Sequence, residues 1–327
     1  MHPMSLADFV VSRFAPLRRR LQQLNDMTRR LDDLQMAVGR IEHRLSLPQA
    51  HSTDQFHQHE FKVFSQWGED GIIQYLIHAV PITVPVFVEF GVHNYRESNT
   101  RFLLQHDNWS GLIMDASQEH IETIMSDPVY YRHNLEAVHA FIDRENINDL
   151  LLHNGIAGDI GLLSIDIDGN DYWVWEALDC VSPRIVICEY DSYLGSDRTV
   201  VTPYVPTFDR LQAHHSFLYG GASLAALDYL AQRKGYTLVG SNSAGNNAFF
   251  VRKDLLGKIP AMTPHEAYRK AQFRHSRDAR GHFTFLRFEE AQQLIADMPV
   301  VDVAKNTTIT IRDLLLPSSS GVPFPSR

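Results

Sequence analysis

From Leu162 to Leu178 the chain reads LLSIDIDGNDYWVWEAL. Ser164, Asp166 and Asp168 alternate with apolar neighbours, the pattern of a strand leaving a core. Gly169 breaks that strand, and Asn170 or Asp171 stands where a helix carrying Trp173, Trp175 and Leu178 needs its cap. Two carboxylates are thereby delivered to the C-terminal edge of a sheet, where open α/β sheets bind their ligands. Carboxylates held together repel, so the pair calls for a cation, a shared proton or a polar ligand.

The same strand-turn-helix unit recurs along the chain. Apolar periodicity predicts helices over 68–79, 98–106, 117–126, 145–153, 172–178 and 222–234. Between them, strands are expected at 85–90, 111–114, 137–142, 161–167 and 184–189, and a closing pair at 236–239 and 247–251. Such alternation with apolar strands makes a largely parallel sheet covered on both faces. The closing pair is too close in sequence for a helix between them and is expected antiparallel. With 44% hydrophobic residues in 327, the chain can bury one large core plus an appendage.

The appendage is the N-terminus. Leu17, Leu24, Leu31, Val38 and Leu45 fall on position a of a heptad, and Arg20, Met27, Leu34 and Ile41 on position d. A repeat of seven sustained this far predicts a coiled-coil oligomerisation helix over 1–47, with 17–45 as the contact between copies. Arginines outnumber acids there, so docking of this basic helix on an anionic membrane surface is a second reading. Residues 48–60, with His51, His57 and His59, read as a polar linker, and 258–327 as a helical extension with a disordered tail.

A net charge of −9 argues against general attraction to nucleic acid. The two cysteines, Cys180 and Cys188, suggest neither a disulfide framework nor a zinc site. No apolar run reaches membrane-spanning length and the first residues lack the order of a signal peptide, so a soluble cytoplasmic protein is expected.

Other strand ends add to the chemistry. In VFVEFGVHNYRESNT (86–100) an apolar strand ends near Glu89, passes Gly91 and enters a helix at Ser98–Asn99. The glycine lets a ligand approach the backbone and the helix start offers free N–H groups, but the glycine-rich dinucleotide fingerprint is absent. Asp115 ends the next strand, where an acid accepts ribose hydroxyls or, with Ser117, caps a helix. Asp143 ends the third and reads as an adenine ligand or a cap. The strand at 184–189 brings Glu189 and Asp191 to the edge that carries Asp166 and Asp168. His214 and His215 offer a further base, and Tyr193, Tyr204 and Tyr219 lie in the long connection above that edge, suited to stacking on sugar rings or to packing the loop.

Together Glu89, Gly91, Asp115, the Asp166/Asp168 strand and the closing antiparallel pair resemble a class I S-adenosylmethionine-dependent methyltransferase. More narrowly, SQWGEDGIIQYLI, VEFGVHNYRESNT, NWSGLIMDAS, SIDIDG and GYTLVGSNSAGNNAFFV resemble the FkbM-type methyltransferases over residues 61–255. The resemblance implies a Rossmann-like catalytic domain over 61–257, S-adenosylmethionine as cofactor, and methylation of a hydroxyl on a sugar or glycan in surface-polysaccharide biosynthesis. It assigns Glu89, Gly91, Asn99, Asp115, Ser117 and Asp143 to the cofactor. By similarity to sugar O-methyltransferases of the macrocin type, Asp166, Asp168, Glu189 and Asp191 are candidate Mg2+ ligands, and without metal Asp168 is the general base, with His215 as runner-up. Where such enzymes carry a glycine-richer loop, this chain has Val92, His93, Asn94 and Tyr95 after Gly91. Two alternatives stay open: a metal-dependent glycosyltransferase using Asp166 and Asp168, and a non-catalytic coiled-coil scaffold.

Overall fold

The computed structural model describes residues 6–46 and 56–315; the expected tail, the start of the linker and His51 lie outside them. Seven strands form one sheet. They are β1 (Val86–Phe90), β2 (Ser110–Asp115), β3 (Leu135–His139), β4 (Gly158–Ile165), β5 (Val181–Glu189) and the closing pair β7 (Tyr236–Ser241) and β8 (Asn247–Arg252). The spatial order is β3-β2-β1-β4-β5-β8-β7. The first five run parallel, and β8 inserts antiparallel between β5 and β7. This is the Rossmann-like architecture expected from the sequence, with the last strand reversed.

Alternation along the strands fills two cores. Val88, Phe90, Met114, Val186 and Cys188 point to one face, under α6 (Ile147–His153), α7 (Asp171–Ala177) and α9 (Leu224–Lys234). Phe87, Ile113, Leu162, Ile187 and Phe249 point to the other, under α2 (Glu69–Ala79), α3 (Arg101–His106) and α4 (Gln118–Ser126). Trp175 and Tyr172 of α7 are fully buried, which anchors the segment that follows Asp168. Burying a large apolar side chain contributes about 1.5–3 kcal/mol.

Several boundaries differ from expectation for local reasons. The helix expected from 98 starts at Arg101, because the backbone N–H groups of Asn99 and Thr100 are taken by Glu89. Strand β4 ends at Ile165 rather than 167, because the Asp171 carboxylate accepts from the N–H groups of Ile167 and Gly169 and holds them in a turn. The third strand lies at Leu135–His139 rather than 137–142, and Ala140 makes its last bond to the Asp115 carbonyl.

The N-terminal helix α1 (Leu6–Ser46) is present and lies on the body through Met36, Gly39 and His43. Met36 joins Val63, Phe64 and Phe102, and the His43 ring sits 5.0 Å from that of His78 and 5.1 Å from that of His106. The heptad positions Leu24, Met27, Leu31, Leu34, Val38, Ile41 and Leu45 point the other way, each more than half exposed. Among the described residues no helix is long and apolar enough to cross a membrane.

Two expectations about the flanks change. The linker does not reach residue 60: Phe56–His59 form a 3-10 turn, Phe56 packs on Phe249, and His59 stacks on Tyr75 at 3.9 Å. Nor is the C-terminal segment only helical. Besides α10 (Pro264–Ala267), α11 (Phe288–Leu294) and α12 (Arg312–Leu315) it carries β9 (Pro299–Asp302) and β10 (Thr307–Thr310). These β-branched stretches pair with β6 (Val200–Val201) of the long connection in a second, three-stranded sheet. The extension is thereby stitched to the loop above the acidic edge.

Candidate active site

The C-terminal ends of β1, β2 and β4 surround a cavity of about 330 Å³, within the size range of small-molecule sites. Its wall includes Gly91, His93, Asp115, Ser117, Ile142, Asp166, Asp168, Asn170 and Phe208. Gly91 is required here. Its φ is +72° and a Cβ would lie 1.6 Å from the Asp166 carbonyl oxygen, so only glycine lets β1 turn against β4.

Of the residues assigned to the cofactor, Gly91, Asp115 and Ser117 line this cavity, whereas Glu89, Asn99 and Asp143 do not. Glu89 is buried and accepts from Asn99 N (2.8 Å), Thr100 N (3.2 Å), Ser98 Oγ (2.6 Å) and the Thr100 hydroxyl. Its carboxylate holds the loop before α3 and presents no free oxygen to a ligand. Burial pushes its pKa up, against the pull of those hydrogen bonds. The Asn99 amide donates to Ser164 Oγ at 3.1 Å, a link between loop and β4. Asp143 accepts from the N–H groups of Glu145 and Asn146 at 2.9 and 2.8 Å, so it caps the turn before α6.

Asp115 braces the start of α4 and also faces the cavity. Its oxygens accept from His93 N (2.7 Å), Ser117 N (2.8 Å) and His120 Nδ1 (2.9 Å), while the residue still lines the cavity. Ser117 is the N-cap of α4, accepting from His120 N.

The second half of the site lies where β4 and β5 end. Oxygens of Asp166, Asp168 and Glu189 all come within 4.8 Å of one another. Asp168 sits at φ +60°, a strained position for a non-glycine residue and of the kind that collects at functional sites. Burial, then the charges of Glu189, Asp168 and Asp171, drives the Asp166 pKa well above the usual carboxylate range. Burial likewise lifts Glu189 to about 8, with Arg210 pulling it down and Asp168 pushing it up.

Asp191 leaves the predicted ligand set. One of its oxygens accepts from Tyr193 N at 2.8 Å and caps the turn Ser192–Leu194, and burial raises its pKa to about 7. The other three candidates, Asp166, Asp168 and Glu189, are the ones that converge. His215 is also corrected: it is exposed, its ring 4.4 Å from that of His214, because the backbone at Ser216 and Leu218 turns inward instead. Tyr193 and Tyr219 are buried in a satellite core with Leu218 and Ile295, so they pack the loop, and Tyr204 hydrogen-bonds Glu145.

Sequence reasoning missed the residue at the centre. Arg210 opens α8 (Arg210–Ala213) and sends its guanidinium into the acids, 3.0 Å from Asp168 Oδ1 and 3.8 Å from Glu189 Oε2. The face of the guanidinium lies 5.1 Å from the Phe217 ring centre. One signal was available: between residues 190 and 223, Arg198 and Arg210 are the two basic residues, and convergent carboxylates need a cation. Also missed was His275 of the C-terminal segment, packed on Phe217 and Phe273 and held neutral, its pKa lowered to about 4 by burial and then by Arg210. Around this edge Arg210 Nε, His275 Nδ1, Arg277 Nε and Asp191 Oδ2 are buried without a hydrogen-bond partner.

The three carboxylates have the hard oxygen chemistry of a Mg2+ site. However, two of them already face a protein cation, so the set is not free for an ion while Arg210 stays in place.

No protein-family model matches this sequence, and no curated protein matches it. Among solved structures, the N-terminal domain of EvdMO1 with SAH bound is 13% identical, with a TM-score of 0.37, covering 56% of this chain and 79% of that one. An O-methyltransferase from Bacillus cereus in complex with SAH is 13% identical, with a TM-score of 0.34, over 64% of this chain and 88% of that one. The CurJ carbon methyltransferase is 9% identical, with a TM-score of 0.39, over 71% and 70%.

Proposed function

We propose that the protein transfers a methyl group from S-adenosylmethionine to a hydroxyl of a sugar or glycan. One observation carries this reading. A single cavity joins the backbone-lined pocket at Gly91, Asp115 and Ser117 to the strained, acid-rich turn at Asp166 and Asp168. The first part suits a ribose and its methionine tail, held by an acid at the end of β2 and by close approach at a glycine. The second suits a hydroxyl that must lose its proton.

When bound, S-adenosylmethionine supplies the electrophilic methyl group. Asp168 would take the proton of the acceptor hydroxyl, and the bond that breaks would be the one between the methyl carbon and sulfur, with S-adenosylhomocysteine leaving. Arg210 fixes the Asp168 carboxylate in position. Most of the rate enhancement comes from this positioning.

Calorimetric titration of S-adenosylmethionine into the purified protein tests the reading. Micromolar binding is expected, and Gly91→Ala should abolish it. Absence of binding to the folded wild-type chain sinks the cofactor assignment and the methyl transfer with it.

The exposed heptad seam of α1 supports self-association through 17–45. Leu34→Lys with Ile41→Lys, placed on the face turned away from the body, should lower the mass measured by light scattering. An unchanged mass refutes the pairing.

A further inference from the structure

We infer that Arg210 is a tethered cation that fills the place of a divalent metal in the acid cluster, so that the acceptor side of this protein runs without metal. The inference rests on the proposed methyl transfer only for what the cluster is used for; the occupancy itself follows from geometry.

Three carboxylates within 4.8 Å of one another repel unless a cation or shared protons stand among them. The charge on the page is the Arg210 guanidinium, which touches Asp168 at 3.0 Å and approaches Glu189 at 3.8 Å. It is built in rather than draped over. The Arg210 side chain is 10% exposed, while Asp168 is 48% exposed. The Phe217 ring backs its flat face at 5.1 Å, and Asp209 caps α8 through Gln212 N, which fixes the backbone that carries it. A guanidinium is planar, permanently charged and more weakly hydrated than an ammonium, so it suits burial between acids where a lysine would not.

A cation on the chain differs from a bound ion in what it can do. It stays charged at every working pH and cannot be chelated. It offers N–H donors to a hydroxyl rather than an open coordination position. Its Nε–H is buried without a hydrogen-bond partner. Arg210 is therefore a positioning residue for Asp168.

Manganese titration followed by electron paramagnetic resonance tests this without cofactor or turnover. The wild-type chain should show no bound Mn2+ that depends on Asp168. Arg210→Met should uncover the carboxylates and gain one site, with a dissociation constant of about 10⁻⁴ to 10⁻³ M, lost again in Arg210→Met/Asp168→Asn. Arg210→Lys should restore exclusion in part. The inference is overturned by Mn2+ binding to the wild-type chain that disappears in Asp168→Asn, or by a folded Arg210→Met that gains no site. Should Arg210→Met fail to fold, the wild-type titration against Asp168→Asn decides alone. Failure of S-adenosylmethionine to bind would remove the proposed function and leave this result standing.

Discussion

Five acids at one sheet edge divide into two groups with different surroundings. On the β1–β2 side, Glu89 and Asp115 are surrounded by backbone N–H groups, hydroxyls and one imidazole, which meet their hydrogen-bonding demand. On the β4–β5 side, Asp168 and Glu189 share one guanidinium with a third acid beside them. The first pair shapes loops, and in the case of Asp115 also lines the pocket. The second pair has one guanidinium between two acids and a third acid beside them, so its charge is less fully answered. An acid at a strand end is thus not informative by position alone; what its neighbours donate to it decides whether it builds or reacts.

The contrast is broken most decisively at Asp168. Asp168→Asn keeps the shape and tolerates the left-handed backbone, so methyl transfer should fall by about 10² to 10⁴ with cofactor affinity unchanged in calorimetry. If affinity falls as well, the two halves are one site. Glu89→Gln comes next: losing charge-assisted bonds in a buried setting should cost about 2–3 kcal/mol of stability, read as a lowered melting temperature. Unchanged melting with weakened cofactor binding would move Glu89 out of the structural half.

The pH response sharpens the same division. Folded Glu189 titrates near 8 against an ordinary 4.5, and Asp191 near 7 against 3.8. The folded state holds these protons more firmly than the unfolded chain. Stability from this edge is therefore fully present below the ordinary values and declines as pH rises through about 8. Urea denaturation across that window should show the decline, and Glu189→Gln should flatten it. The smallest effect is expected at Ser117→Ala, where loss of an N-cap costs about 1 kcal/mol and shows in thermal melts.

How far the sequence carried depended on whether a feature was local. The strand-turn-helix unit at 162–178, the closing antiparallel pair and the long N-terminal helix are written in neighbouring residues, and each appears as a structural element. The cap at Asp143 was among the readings offered, and the structure selects it. Arg210, His275 and the pairing of β9 with β6 join segments far apart in the chain, and no periodicity announces such contacts. Glu89 fails for a subtler reason: its partners at Ser98–Thr100 were legible, but their bonds to it require the loop to fold back, which only the three-dimensional path reveals.

The pairing of β6 with β9 also sets an order in time. The cavity at the strand ends draws its wall from Gly91 to Phe208, residues that leave the ribosome while much of the chain is still unmade. His275, Arg277 and the strand that staples the long connection arrive last. In synthesis the cavity's own residues therefore precede the strand that pins the long connection, and that connection is held only once the final quarter of the chain is made.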